Sequence, residues 1–213
     1  MWQWLVDNSA RVTQLGALHL LLAVSATVIG LVVAIGAGAL TAHHRRLATF
    51  GVVLSGIIFT IPSLTLFIFI PLVLGTKILN PINIVIALSI YAFALIYGGV
   101  VEALRGVNPE TRQAAEAMGI GPVRLFWTVE LPLAIPVLAA TTRVAAVSSV
   151  SLVSVGALIG VGGLGDLFTE GFQRAYPVPI LWGIILSMAL ALAVDLAIVG
   201  IERLATPWLR EAR

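Results

Sequence analysis

Five long apolar stretches set the terms for this chain. They run at about Leu15–Leu40, Phe50–Leu74, Ile82–Leu104, Leu133–Leu158 and Pro179–Ile201. A helix needs roughly 20 apolar residues to cross the hydrocarbon core of a bilayer, and each stretch exceeds that. Within a bilayer the backbone must satisfy its own hydrogen bonds, so only helices and closed barrels span it. Barrel strands are about ten residues long and alternate apolar with polar. These stretches are longer and do not alternate. The expected fold class is therefore an all-α membrane protein with five transmembrane helices in a single domain over 1–213. Composition agrees: hydrophobic residues make up 60% and charged residues 10%, against about 25% charged in soluble domains.

Prolines and small residues shape the spans. Pro62 and Pro71 are expected to kink the second, and Pro136 the start of the fourth. Gly30, Gly36, Gly38, Gly98, Gly99, Gly156 and Gly160 permit close helix contact. There is no cysteine, which excludes disulfides and thiol chemistry. The N-terminal Met1-Trp2-Gln3-Trp4 lacks a basic region and does not read as a removable signal peptide. The net charge of +2 gives nucleic-acid binding no support.

Between the third and fourth stretches lies a polar segment, about 107–130, with the punctuation of a helix. Asn108 is a good N-cap, Pro109 suits the first helical position, and Glu110 sits where the helix dipole favours an anion. Gly119 suits a C-terminal cap, and Gly121-Pro122 forbids simple continuation. An alanine-rich helix of about three turns outside the bilayer is expected.

Gln113-Ala114-Ala115, then Gly119, then Val129-Glu130-Leu131-Pro132 resembles the cytoplasmic coupling loop of ABC-importer permeases. Gln113 stands where that family usually has Glu, and Val129 where it has Ile. Gly160-Val-Gly-Gly-Leu-Gly165-Asp166 and Thr60-Ile-Pro-Ser63 look like the quaternary-amine branch, which imports glycine betaine, choline, carnitine and similar osmoprotectants. Methionine-type and phosphonate-type importers are the nearest alternatives. The resemblance spans essentially the whole chain and implies a type I importer permease fold in the bacterial inner membrane. It also implies two permease subunits, identical or not, a separate ATPase dimer carrying ATP and Mg, and an extracytoplasmic binding protein. Arg112, Gln113, Ala114, Ala115, Glu116, Gly119, Leu131 and Pro132 would then form the ATPase-coupling element, with Ala115 and Gly119 at closest approach. The chain has no Gly-x-x-x-x-Gly-Lys-Ser/Thr loop, so no phosphate cradle of that kind and no cofactor of its own are expected. A secondary carrier would predict inverted repeats and a midplane acidic site. A non-transport scaffold would predict no ATPase partner.

Basic residues give the orientation. Arg45, Arg46, Arg105, Arg112, Arg124, Arg203, Arg210 and Arg213 fall on one side, and Arg11, Lys77 and Arg174 on the other. The positive-inside rule places the richer side in the cytoplasm and the N-terminus outside.

Arg143, Asp195 and Glu102 are charges within or at the edge of spans. Unpaired charge there is expensive, so Arg143 is expected to pair with Asp195 or Glu102. His19 reads as a hydrogen-bonded packing residue, and His43-His44-Arg45-Arg46 as topology-setting charge. Two adjacent histidines with no third ligand make no metal site. Tyr91, Phe93, Tyr97 and Trp182 are candidates to line a path for a methylated ammonium, which aromatic faces hold well.

Overall fold

The computed structural model describes residues 1–208, and the expectations for Arg210 and Arg213 lie outside them. Among the described residues the chain is all helical. A short α1 (Trp2–Asp7) precedes α2 (Ser9–Thr41), and α5 (Pro81–Arg105) and α10 (Pro177–Ala205) are further long apolar helices. α7 (Pro122–Leu125), a π-helical turn at Phe126–Glu130 and α8 (Leu131–Val155) run on without a break through a final 3₁₀ turn to Ile159. These make four helices long and apolar enough to cross a membrane. α5 is the hub, packed against both α2 and α8, which also meet each other, and α10 packs on α8. Gly30 of α2 sits so close to α5 that a Cβ would lie 2.8 Å from the Phe93 backbone nitrogen.

The second apolar stretch departs from the kinked span expected of it. α3 (Arg45–Thr60) and α4 (Ser63–Leu74) meet at 99°. Pro62 has no N–H and pushes its predecessor out of the helical region, and Ile61 is accordingly extended, at φ −66° and ψ 130°. The corner survives because α5 supports it. The Tyr91 hydroxyl donates to the Ile61 carbonyl that the break leaves free, and the Tyr91 ring meets Phe59 edge-on at 5.9 Å. Pro71 lies inside α4 without breaking it.

The start of the fourth span also differs from a simple kink at Pro136, which sits inside α8. The irregularity comes earlier, at the π turn, where the Leu131 N–H reaches back to the Phe126 carbonyl. Pro132 cannot donate, and the widened turn sits immediately before it.

At the end of the bundle that holds the N-terminus, the glycine-rich segment folds under α2. His19 is fully buried. Its Nε2 lies 2.8 Å from the Val150 carbonyl, and its Nδ1 accepts the Leu164 N–H at 3.2 Å. Those partners require the neutral tautomer with the proton on Nε2. Gly163, at φ +52°, turns the chain beneath His19. Asp166 begins α9 (Asp166–Gln173) and accepts the Gly162 N–H at 3.2 Å. Burial holds its carboxyl above the usual carboxylate range, against the pull of that N–H and of Arg11. Arg11 closes this end on Glu170 at 2.5 Å.

Candidate functional site: a braced helix on the polar loop

The polar segment forms a helix, α6 (Pro109–Ala117). Its start follows from two residues. The Asn108 side chain accepts the Glu110 N–H at 2.8 Å, and Pro109 occupies a position that has no N–H to satisfy. Its end is a Schellman motif. The Ile120 N–H reaches the Ala115 carbonyl at 3.2 Å and the Gly119 N–H reaches that of Glu116 at 2.9 Å. The motif requires a left-handed residue, and Gly119 supplies it at φ +80°. Extended Gly121 and Pro122 then start α7 in a new direction.

A cluster of charged groups ties α6 to the rest of the chain. Arg112 meets Glu116 at 3.1 Å and Glu130 at 3.4 Å, and its Nη1 donates to His43 Nδ1 at 2.8 Å. The His43 Nε2 lies 3.2 Å from the same Arg112 nitrogen and faces Glu130 at 3.3 Å. Glu130 is buried, with its charge met from α6 and from the turn after α2. Beside it, Arg105 donates to the Ala42 carbonyl at 2.7 Å. His43 thus braces the loop, a role hidden in the sequence because its partners lie far along the chain. Among the described residues no cluster of His, Asp or Glu could hold a metal ion.

The two faces of α6 differ. Ala115 is 3% exposed and packs inward, so its small side chain seats α6 on its own chain and is not on the outer surface. Gln113, Ala114, Glu116 and Gly119 are exposed, Arg112 half so, as are Leu131 and Pro132 where α8 begins. Sequence reading missed Met118, Val123 and Trp127, exposed at 73%, 75% and 60%. The signal for them is large apolar side chains within a polar interruption, an arrangement typical of a contact surface. We expect Glu130→Ala to loosen α6 by about 1 kcal/mol, because it removes the buried carboxylate that holds Arg112 and His43, which are each about a third exposed and can turn to solvent. Faster hydrogen exchange confined to 109–117 would show it, and unchanged exchange there would refute the bracing role.

The other candidates lie elsewhere. Arg143 of α8 and Asp195 of α10 form a two-pronged pair at 2.7 and 2.8 Å. Glu102 is exposed near the loop end of α5 and takes no part in it. Two candidate path aromatics are packed inside the chain. Tyr91 is buried at the α3–α4 corner. Tyr97 is buried with its hydroxyl 2.7 Å from that of Thr41, and half-buried Phe93 stacks on it at 5.4 Å. Trp182 is at the opposite end from the loop, donating to the Met1 carbonyl at 3.2 Å and lying 6.2 Å from Trp2.

Comparison with known proteins identifies the frame in which this loop sits. Residues 21–206 match the family model described as binding-protein-dependent transport system inner membrane component. The carnitine transport permease protein OpuCB of Listeria monocytogenes is 35% identical over 92% of this chain and 88% of its own length. The choline transport system permease protein OpuBB of Bacillus subtilis (strain 168) is 28% identical over 96% of this chain and 93% of its own. A solved structure of the MetNI methionine ABC transporter in an inward-facing conformation contains a chain of similar fold. Its TM-score is 0.73 at 23% identity, covering 96% of this chain and 98% of that one.

Proposed function

This chain belongs to the inner membrane components of binding-protein-dependent transport systems, and from that premise we propose that it is the permease subunit of an ATP-driven importer for a quaternary-amine osmoprotectant such as glycine betaine, choline or carnitine. The substrate class rests on the relatives, whose names specify carnitine and choline. The methionine transporter is a likeness of fold at 23% identity, so its substrate carries less weight.

The mechanism rests on one observation, the capped and braced helix Pro109–Ala117 with an apolar outer rim. Here five crossings are counted, with the bent pair α3–α4 as one. The loop and the C-terminus face the cytoplasm, and the N-terminus faces outward. Hydrolysis of ATP occurs on a separate ATPase dimer. α6 docks there, with Gln113, Ala114 and Gly119 at the surface and Met118, Val123 and Trp127 supplying apolar contact. Movement of the ATPase passes through α6 and the Glu130 cluster into α8, which is continuous with α7 through the π turn that carries Glu130. A second permease subunit completes the path at a two-fold axis, whether identical or not. A binding protein delivers solute on the outer side, so this chain needs no cofactor.

Two experiments test this reading. Purification from membranes should retain an ATPase, and vesicles holding the complex should take up labelled glycine betaine, choline or carnitine only with ATP and the binding protein. Uptake driven by an ion gradient alone would replace the importer with a secondary carrier. For orientation, a single cysteine introduced at Glu116 is clean because the chain has none. An impermeant thiol reagent should reach it only from the cytoplasmic side. Labelling from outside in sealed right-side-out vesicles would invert the topology.

A further inference from the structure

Arg143 occupies the middle of α8, twelve residues from each end of Leu131–Val155, so about 18 Å of helix lies on either side. A charge at that depth is costly in hydrocarbon. Asp195 answers part of the cost by engaging Nε and Nη2 at 2.7 and 2.8 Å. The Arg143 side chain nonetheless remains 40% exposed, and that of Asp195 21%. The two N–H groups of Nη1 and one of Nη2 meet no acceptor among the described residues.

The exposure follows from the face on which Arg143 borders. Leu133, Val137, Ala140, Val144, Val147 and Ser151 form one exposed stripe along α8, at alternating spacings of four and three. The opposite side of α8, with Ala134, Leu138, Thr142, Ala145, Ser149 and Val153, is buried in the bundle. Lipid against the open stripe would leave three charged N–H donors in hydrocarbon. Water or a polar solute would satisfy them.

We propose that Arg143, oriented by Asp195, is a binding point in the solute path for the carboxylate of a zwitterionic quaternary amine. The inference rests on the importer reading above and adds a site to it. A guanidinium presents its donors in a fixed fork that fits a carboxylate. Asp195 both aims that fork and cancels its charge. A neutralised donor holds an anion weakly, which suits a path, since a site that binds too well stops flow. Glycine betaine and carnitine carry a carboxylate and choline does not, so the site distinguishes them.

The test uses the assembled complex of permease, ATPase and binding protein in vesicles. Val144→Cys, on the open stripe and 59% exposed, should react with a charged, water-soluble thiol reagent. Glycine betaine should slow that reaction and choline should not. In a second background, Arg143→Gln with Asp195→Asn keeps a hydrogen-bonded pair without charge. There the glycine betaine concentration that halves the reaction should rise roughly tenfold, as expected for loss of a charge-assisted carboxylate contact. Failure of the charged reagent to react at 144 would place the stripe in lipid and overturn the proposal. Equal protection by choline, or an unmoved betaine curve in the neutral pair, would overturn it as well. If the native complex takes up no quaternary amine while protection at 144 behaves as described, the importer reading falls and the carboxylate site stands.

Discussion

Replacing Gly163 with alanine is expected to destabilise the chain by about 2–4 kcal/mol, although the change adds a single methyl group. Two effects add. Gly163 has φ +52°, a conformation that strains any residue with a Cβ by about 1 kcal/mol or more. The new Cβ would also lie 2.7 Å from the His19 Cβ and 3.0 Å from its Cα. Those atoms belong to the backbone and stem of α2, so relief means moving a helix, at a further ~1–3 kcal/mol. The displacement would disturb both bonds of the neutral imidazole, to Val150 and Leu164. His19→Leu should be comparable, because it keeps the volume but leaves the buried Leu164 N–H without a partner. Thermal unfolding of the purified protein in detergent measures both. A midpoint within a degree of the native chain for Gly163→Ala would mean that α2 and the glycine-rich segment are not locked together here.

The same residues show how far the sequence could be read. Length and apolarity were enough for an all-helical membrane chain, because the bilayer leaves few alternatives, but not for the bend that divides the second stretch into α3 and α4. The ends of α6 were legible one residue at a time, since caps depend on neighbours in the chain: Asn108, Pro109 and Gly119 do locally what their chemistry allows. The pairing of Arg143 was legible only to within two partners, Asp195 or Glu102, because a mid-span charge must find a partner and few exist; the fold selects Asp195. What required three dimensions was everything that depends on distant partners. Pro62 marks a break, but its 99° angle depends on Tyr91 arriving from α5 to take the Ile61 carbonyl. Tyr91 and Tyr97 suit a cation path by chemistry, yet their hydroxyls are used up in holding α3 and α2. His43 reads in the sequence as topology-setting charge, and only the fold places Arg112 and Glu130 beside it. By its smallness Ala115 suits a surface facing a partner, whereas in the fold that smallness lets α6 lie against its own chain.

The inward Ala115 and the outward Gly119 allow the proposed coupling role to be separated from mere folding of the loop. Gly119 stands at φ +80°, and nothing lies within 4 Å of where its Cβ would be. A substitution there meets no clash inside the chain, so its effect on this subunit is backbone strain alone. Asparagine tolerates the left-handed region and valine does not. If Gly119 served only the cap, Gly119→Asn would be nearly silent and Gly119→Val would fray α6. If the exposed Gly119 also lies against an ATPase, both side chains intrude between the two surfaces. We therefore expect both variants to lower ATP-dependent uptake at least about tenfold, the loss set by interface packing rather than by helix stability. Membrane insertion and solute capture by the binding protein should be unchanged in both. Ala115→Trp should also abolish uptake, but by lifting α6 off the π turn, and hydrogen exchange across 109–117 should rise with it. Uptake by Gly119→Asn at the native rate, beside a damaged Gly119→Val, would reduce Gly119 to a helix terminator and move the docking surface to the exposed side chains of Met118, Val123 and Trp127.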